Sequence, residues 1–302
     1  MLFRSMGGSL ADTLAHLLNL TPLVRRQALI AGVAGGFGSV FGTPVAGAVF
    51  ALELTRMIRL DFGAAETVGF DREAALRQNQ TGSLVAVTSA FIGDWVTRGL
   101  GCVHTQYPQV LSVALTPQLF ARWVVFALAI ALTAAVFIES THGLRRIGEA
   151  TVRRREMRMF IGGALVVVMW SVSGTSDYLG LGMPFITRTF SDPIVPVSAF
   201  AMKGLFTVVT LGAGFLGGEV TTLFFIGAAL GNVLARALGV PLELGAGVGM
   251  AAMFGAAAKT PLAVSVMAME LLGAGVFSHV VLVAFLASAL TGRRSIYEAQ
   301  FR

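Results

Sequence analysis

Cysteine is nearly missing: Cys102 stands alone among 302 residues, which excludes a disulfide or a cysteine-based metal site within one chain. Charge is scarce as well. Only 13% of residues are Asp, Glu, Lys or Arg, against about 25% in soluble domains, so a surface built for water is excluded. Within that small set lysine is rare, with 20 arginines against 2 lysines. The histidines, His16, His104, His142 and His279, are scattered and read as ordinary residues, not a ligand set. No apolar stretch follows a charged start in residues 1–5, so these are neither a signal peptide nor a span.

What fills the chain is apolar. Mean hydropathy is +0.78 and 55% of residues are hydrophobic. Apolar segments fall at 84–96, 120–138, 159–172, 197–215, 223–238, 244–258 and 276–290. Many are shorter than the roughly 20 residues that a straight membrane span requires. Short, glycine-rich segments suggest helices that enter partway and meet in the middle. The 36 glycines agree, since small residues let helices approach closely in lipid. The expected class is an all-α polytopic membrane protein with no cofactor. The net charge of +6 is split among short loops. That argues for cytoplasmic loops and against a nucleic-acid surface.

Taken in order, the first helix covers 6–20 and ends at Thr21-Pro22. A glycine-rich stretch at 31–41 precedes Thr43-Pro44, where Thr43 should cap a helix that runs to about Leu54. Residues 56–80 are polar and hold Arg56, Arg59, Arg72 and Arg77; they should face the cytoplasm. Segment 84–97 then crosses outward, 99–118 lies outside, and 119–141 returns. It reaches a basic loop with Arg145, Arg146, Arg153, Arg154, Arg155 and Arg158, a run also suited to anionic lipid. The next span leads out to 173–196, and the tail with Arg293, Arg294 and Arg302 is cytoplasmic. Asp94 and Glu139 fall near span ends and should be solvated.

One segment breaks the pattern. Gly217-Gly218-Glu219-Val220-Thr221-Thr222 interrupts an apolar run over 205–238. In lipid, backbone leaves the helix only where it is buried in protein or lines a cavity. The second half-helix then points free N–H groups at the break, where they favour an anion. Glu219 is costly at membrane depth, and such residues usually mark an ion or proton path. Its position at a helix start favours its charged form, while burial disfavours it, so a small change nearby can switch it.

The chain also repeats itself. Thr43-Pro44-Val45-Ala46 through Glu53-Leu54 matches Thr260-Pro261-Leu262-Ala263 through Glu270-Leu271 at an offset of 217. Leu10, Leu14, Ala15 and Leu18 match Leu230, Leu234, Ala235 and Leu238 at an offset of 220. Glu53 and Glu270 fall at helix C-terminal ends, where the dipole disfavours a carboxylate. Both should be hydrogen-bonded structural groups, with Arg56 a partner for Glu53. Lys259 should satisfy carbonyls at the break between two helices.

On these residues the sequence resembles the CLC family of chloride channels and anion/proton antiporters. Phe41-Gly42-Thr43-Pro44-Val45-Ala46-Gly47 with Phe50 and Glu53 looks like one family signature. Gly214 to Thr221, with Leu223 and Gly227, looks like its third anion-binding segment. Arg294-Ser295-Ile296-Tyr297 resembles the stretch that carries its inner tyrosine. The Gly-Gly-Glu-Val-Thr form resembles the fluoride/proton antiporter branch. The resemblance implies a CLC-type inverted-repeat fold, with residues 1–158 holding the rest of the first repeat and the start of the second. Residues 159–302 hold the rest of the second, in a single membrane domain without a soluble regulatory domain. It implies anion binding by Glu219, Val220, Thr221 and Tyr297, with Glu219 carrying protons and fluoride or chloride as the anion. It implies a multi-pass protein of the cell membrane, contacting lipid and forming a homodimer through 44–54, 84–96, 261–271 and 278–290.

The sequence departs from the family pattern at three places. Thr222 stands where the family has proline. Leu54 stands at the internal proton-carrying glutamate of chloride/proton exchangers, which argues against that branch. The first ion-binding loop and the gating glutamate would precede Met1, so the N-terminal helices are expected to be missing. A truncated fragment that transports nothing is one alternative. A chloride channel or chloride/proton antiporter of the same fold is another. An intramembrane hydrolase is the distant one, resting on Ser173-Gly174-Thr175-Ser176-Asp177 without a Gly-x-Ser-x-Gly.

Overall fold

Proline and glycine punctuate the chain. The computed structural model describes residues 6–57, 72–215 and 217–297, and the described residues form α-helices and loops. In order these are α1 (Met6–Leu17), α2 (Pro22–Phe41), α3 (Pro44–Met57), α4 (Arg72–Gly99), α5 (Pro117–Thr151) and α6 (Arg155–Ser173). Then come α7 (Met183–Arg188), α8 (Ala199–Gly212), α9 (Glu219–Leu238), α10 (Leu242–Ala258), α11 (Pro261–Leu272) and α12 (Phe277–Leu290). Four helices open on proline, whose fixed φ suits the first position and whose missing N–H would have no partner there. Among the described residues α5, α6 and α9 are long and apolar enough to cross a membrane, while α3, α8, α10 and α11 are apolar but shorter.

The chain divides into two compact units. One holds α1–α4, residues 262–271 of α11, and Tyr297; the other holds α5–α10 and α12. In the first, α2 is central and packs on α1, α3 and α4. Its face of Leu29, Ile30, Val33, Ala34 and Phe37 is buried, and the Ser89 hydroxyl of α4 donates to the Ala31 carbonyl at 2.7 Å. In the second, α10 is buried from Leu244 to Ala258 without a break and packs on α9, α5 and α12. A helix apolar all round is a core helix.

The repeat read from sequence extends into backbone geometry. Gly42 closes α2 at φ 68°, ψ 30°, and Lys259 closes α10 at φ 61°, ψ 38°. Gly42 and Thr43 both donate to the Gly38 carbonyl, as Lys259 and Thr260 both do to Gly255, each partner 217 residues on. The αL turn is natural for glycine but strained for lysine. Lys259 holds it with its ammonium donating to the Ser288 carbonyl at 2.6 Å, as the sequence suggested. The helix crossings repeat too. A β-carbon on Gly7 or Gly32 would strike the other's carbonyl oxygen, and so would one on Gly227 or Gly249. The small residues bring backbone against backbone in both pairs.

Three expectations change in detail. Thr43 precedes α3, but its buried hydroxyl has no hydrogen-bond partner; the glutamate from α11 caps that helix instead. Polarity suggested that 56–80 is loop, yet α4 already runs from Arg72, because helix propagation does not require apolar residues. Residues 58–71, and the side chain of Arg56, lie outside the described residues. Asp94 is not solvated: its side chain is 13% exposed and pairs with Arg98 at 2.8 Å, while its other oxygen is buried without a partner. Glu139 does face outward, at 60% exposed, paired with Arg294 at 3.0 Å.

Candidate anion site at the break before α9

The apolar run over 205–238 forms two helices. After α8 ends, the Ala213 N–H still reaches Val209 O and that of Gly214 reaches Leu211 O, at 3.0 Å each, and that of Phe215 reaches back to Thr210 O at 3.3 Å. Gly214 has φ 96°, a conformation L-side chains rarely adopt. Arg155 of α6 donates to its carbonyl at 3.4 Å. Gly217 and Gly218 are exposed, Gly218 is extended at φ −77°, ψ 109°, and α9 begins at Glu219.

The N-cap residue, Gly218, has no side chain to cap this helix start. The first N–H groups of an α-helix have no partner inside the helix, and they carry the positive end of its dipole. Glu219, Val220 and Thr221 are partly exposed, and every residue from Thr222 to Asn232 is buried. The chain therefore opens one turn of α9 to a cavity or to solvent and seals the rest in protein. Among the described residues the Thr221 hydroxyl has no hydrogen-bond partner. That of Thr222 turns back to the Gly218 carbonyl at 3.4 Å, so only one of the paired threonines keeps its donor for the opening. Carboxylate, hydroxyl and backbone donors on one turn can hold an anion and a proton side by side.

Several polar contacts fix α9, and sequence alone did not single them out. Asn232 donates to the carbonyls of Thr189 and Asp192 at 2.7 and 3.0 Å. Arg236 does the same to Pro193 and Val195 at 2.8 and 3.0 Å. Lys203, 1% exposed, donates to Tyr178 and Gly180 at 3.0 and 2.6 Å and lies over the Phe225 ring. These three polar residues tie α8 and α9 to the loops around α7 through main-chain oxygens. Such partners carry no side-chain identity, so residue types alone do not reveal them.

The structure brings Glu219, Val220 and Thr221 together on one turn. Tyr297 belongs to the other unit and is partly buried; the residue before it, Ile296, donates its N–H to the Ala257 carbonyl at 3.0 Å. In the segment behind the distant hydrolase reading, two of the three hydroxyls are engaged. That of Ser173 donates to the Trp170 and Thr175 carbonyls, and that of Thr175 accepts the Asp177 N–H at 3.2 Å. His279 is a core residue, with Nδ1 accepting from the Trp123 indole at 3.1 Å and Nε2 2.9 Å from the Val113 carbonyl.

Known proteins resemble the chain over nearly its whole length. The family described as voltage gated chloride channel matches residues 3–292. A "Chloride/fluoride channel protein" of Pseudomonas syringae pv. tomato is 38% identical over 98% of this chain and 62% of its own length. This chain therefore spans less than two thirds of that relative. The crystal structure of a CLC-type fluoride/proton antiporter superposes at a TM-score of 0.83 with 29% identity, over 98% of this chain and 70% of the other. That of a slow cyanobacterial Cl-/H+ antiporter superposes at 0.71 with 17% identity, over 95% and 66%, a likeness of fold alone.

Proposed function

The chain belongs to the voltage-gated chloride channel (CLC) family, and from that premise we propose that it moves fluoride across the cell membrane in exchange for protons. The observation that carries this reading is the partly exposed start of α9, with Glu219 as its first residue and, on the same turn, a Thr221 hydroxyl that makes no hydrogen bond among the described residues. Fluoride is small and strongly hydrated, so a dry site must replace its water with good donors. The Val220 N–H and the Thr221 hydroxyl are donors of that kind, on the same turn as Glu219. A fluoride beside Glu219 repels its charged form and favours proton uptake, which couples the two ions. The likeness to a fluoride/proton antiporter at 29% identity supports the same anion. The likeness to the Pseudomonas syringae chloride/fluoride channel protein favours a second reading, chloride or fluoride conduction as a channel.

A cytoplasmic C-terminus belongs to the same reading, supported by the arginines at the end of α5, at the start of α6 and in the tail through the positive-inside rule. A second copy covers the apolar stripe of α4, where Leu84, Phe91 and Trp95 are 68%, 49% and 75% exposed, together with 44–54, 261–271 and 278–290. A cysteine at Trp95 that forms no cross-linked dimer in membranes would rule that face out.

Liposomes loaded with fluoride or chloride, read with ion electrodes and a pH probe, test the function. The expected result is fluoride efflux with protons moving inward and little chloride flux. Anion flux that leaves the internal pH unchanged would favour the channel, and no flux of either anion would reject both readings.

A further inference from the structure

We propose that a groove between α5 and the end of α12 binds an anionic phospholipid, with an acyl chain along the groove and the phosphate on Arg294. The groove encloses about 400 Å³. On α5 its lining falls into two rows spaced four residues apart. Ala131, Ala135 and Glu139 make a low floor, and Leu128, Leu132 and Val136 make the wall, the wall residues being 58%, 65% and 57% exposed. Leu290 and Arg294, at and just past the end of α12, form the opposite rim. Small residues beside large ones at helical spacing leave a channel about one chain wide.

Length and charge choose the occupant. From Leu128 to Glu139 is eleven steps along α5, about 16 Å at 1.5 Å per residue, close to half of the roughly 30 Å hydrocarbon core. The groove thus reaches about one leaflet deep. Its polar end coincides with the end of the apolar run of α5, the level at which headgroups lie. There Glu139 accepts from Arg294 Nε at 3.0 Å, which fixes the guanidinium while its terminal amino groups make no further bond among the described residues. Arg293 stands exposed beside it. Two arginines against one glutamate favour a net negative headgroup, and arginine holds phosphate through paired N–H donors. Basic pockets between membrane helices bind acidic headgroups by the same chemistry.

The experiment uses the 302-residue chain in phosphatidylcholine vesicles with phosphatidylglycerol added, one of the two lipids carrying a photoactivatable acyl chain. Labelled phosphatidylglycerol should modify the peptide containing Ala131 to Glu139 about five-fold more than labelled phosphatidylcholine at equal mole fraction, the effect of one arginine near such a headgroup. Arg294→Gln should bring that ratio close to one, and Arg294→Lys should keep most of it. Because Arg294 is half exposed and its ion pair is a surface one, neither change should unfold the protein. Equal labelling by both lipids, or a ratio that survives Arg294→Gln, would overturn the proposal. So would a groove that neither lipid labels but whose Ala135→Cys variant cross-links to a second copy, since a protein surface would then occupy it.

Discussion

A β-carbon on Gly249 should cost the protein its fold. It would stand 2.8 Å from the Gly231 Cα and nearer still to the Gly227 carbonyl oxygen, and both belong to the backbone of α9. Neither is the tip of a flexible side chain that can swing away. Helices α9 and α10 would have to separate, opening the most completely buried part of the second unit. Overpacking typically costs about 1–3 kcal/mol, occasionally more, and a collision with backbone belongs at or above the top of that range. Gly249→Ala and Gly249→Val should therefore lose most of the monodisperse protein recovered in detergent. Gly218→Ala is the matched control: a β-carbon there meets nothing within 4 Å and φ is −77°, so recovery should stay at the wild-type level. Equal recovery of all three would show that the crossing has slack that the geometry denies.

Removing either glutamate of the α3–α11 clamp should be the next most damaging change. Glu270, near the end of α11, accepts the N–H groups of Val45 and Ala46 at 3.1 and 2.7 Å. Glu53, near the end of α3, accepts those of Leu262 and Ala263 at 3.1 and 2.8 Å. Each short helix carries at its tail the carboxylate that caps the other's head, so the two run antiparallel. A carboxylate at the end of its own helix is disfavoured, and the positive end of the partner helix offsets that. With Glu270→Ala the Val45 and Ala46 N–H groups lose a charged acceptor, and Ala46 is fully buried. A buried orphan N–H costs about 1–3 kcal/mol and a lost cap about 1 kcal/mol. Either Glu→Ala variant should lose about 2–4 kcal/mol, read as a lower unfolding midpoint in detergent. The double variant should lose less than the sum, because the sites share two helices. A loss within about 0.5 kcal/mol, typical of a surface position, would contradict the clamp.

These cases show what one chain's sequence reveals. The break before Glu219 was legible because polar residues in an apolar run must be tolerated by something, and lipid tolerates little. The repeat was legible because Thr-Pro-x-Ala with Glu-Leu at fixed spacing recurs, and the αL turns at Gly42 and Lys259 then follow with the same hydrogen bonds. The structural role of Glu53 and Glu270 was legible, but their partners were not. Those lie 209 to 225 residues away, and their acceptors are bonded to main-chain N–H, which every residue offers. Helix ends were misplaced where a helix outruns its apolar part. Residues 139–151 of α5 continue on polar residues, with Arg145 pairing Glu149 four residues on at 3.2 Å, a helical contact that hydropathy does not register.

In the proposed mechanism Glu219 carries the proton beside the anion. Helix α9 presents it as its first residue, with Thr221 on the same turn, at the positive end of the helix dipole where an anion is favoured. The most direct measurement is the ratio of protons to fluoride moved by Glu219→Gln in liposomes, with Thr221→Ala as companion. Glutamine keeps the shape and removes the titration. Coupling should vanish in Glu219→Gln, while Thr221→Ala should keep the ratio and weaken fluoride preference by about five- to ten-fold, the worth of one hydrogen bond of roughly 1 kcal/mol or a little more. An unchanged ratio of protons to fluoride in Glu219→Gln would make Glu219 a structural group at a helix break and contradict the mechanism.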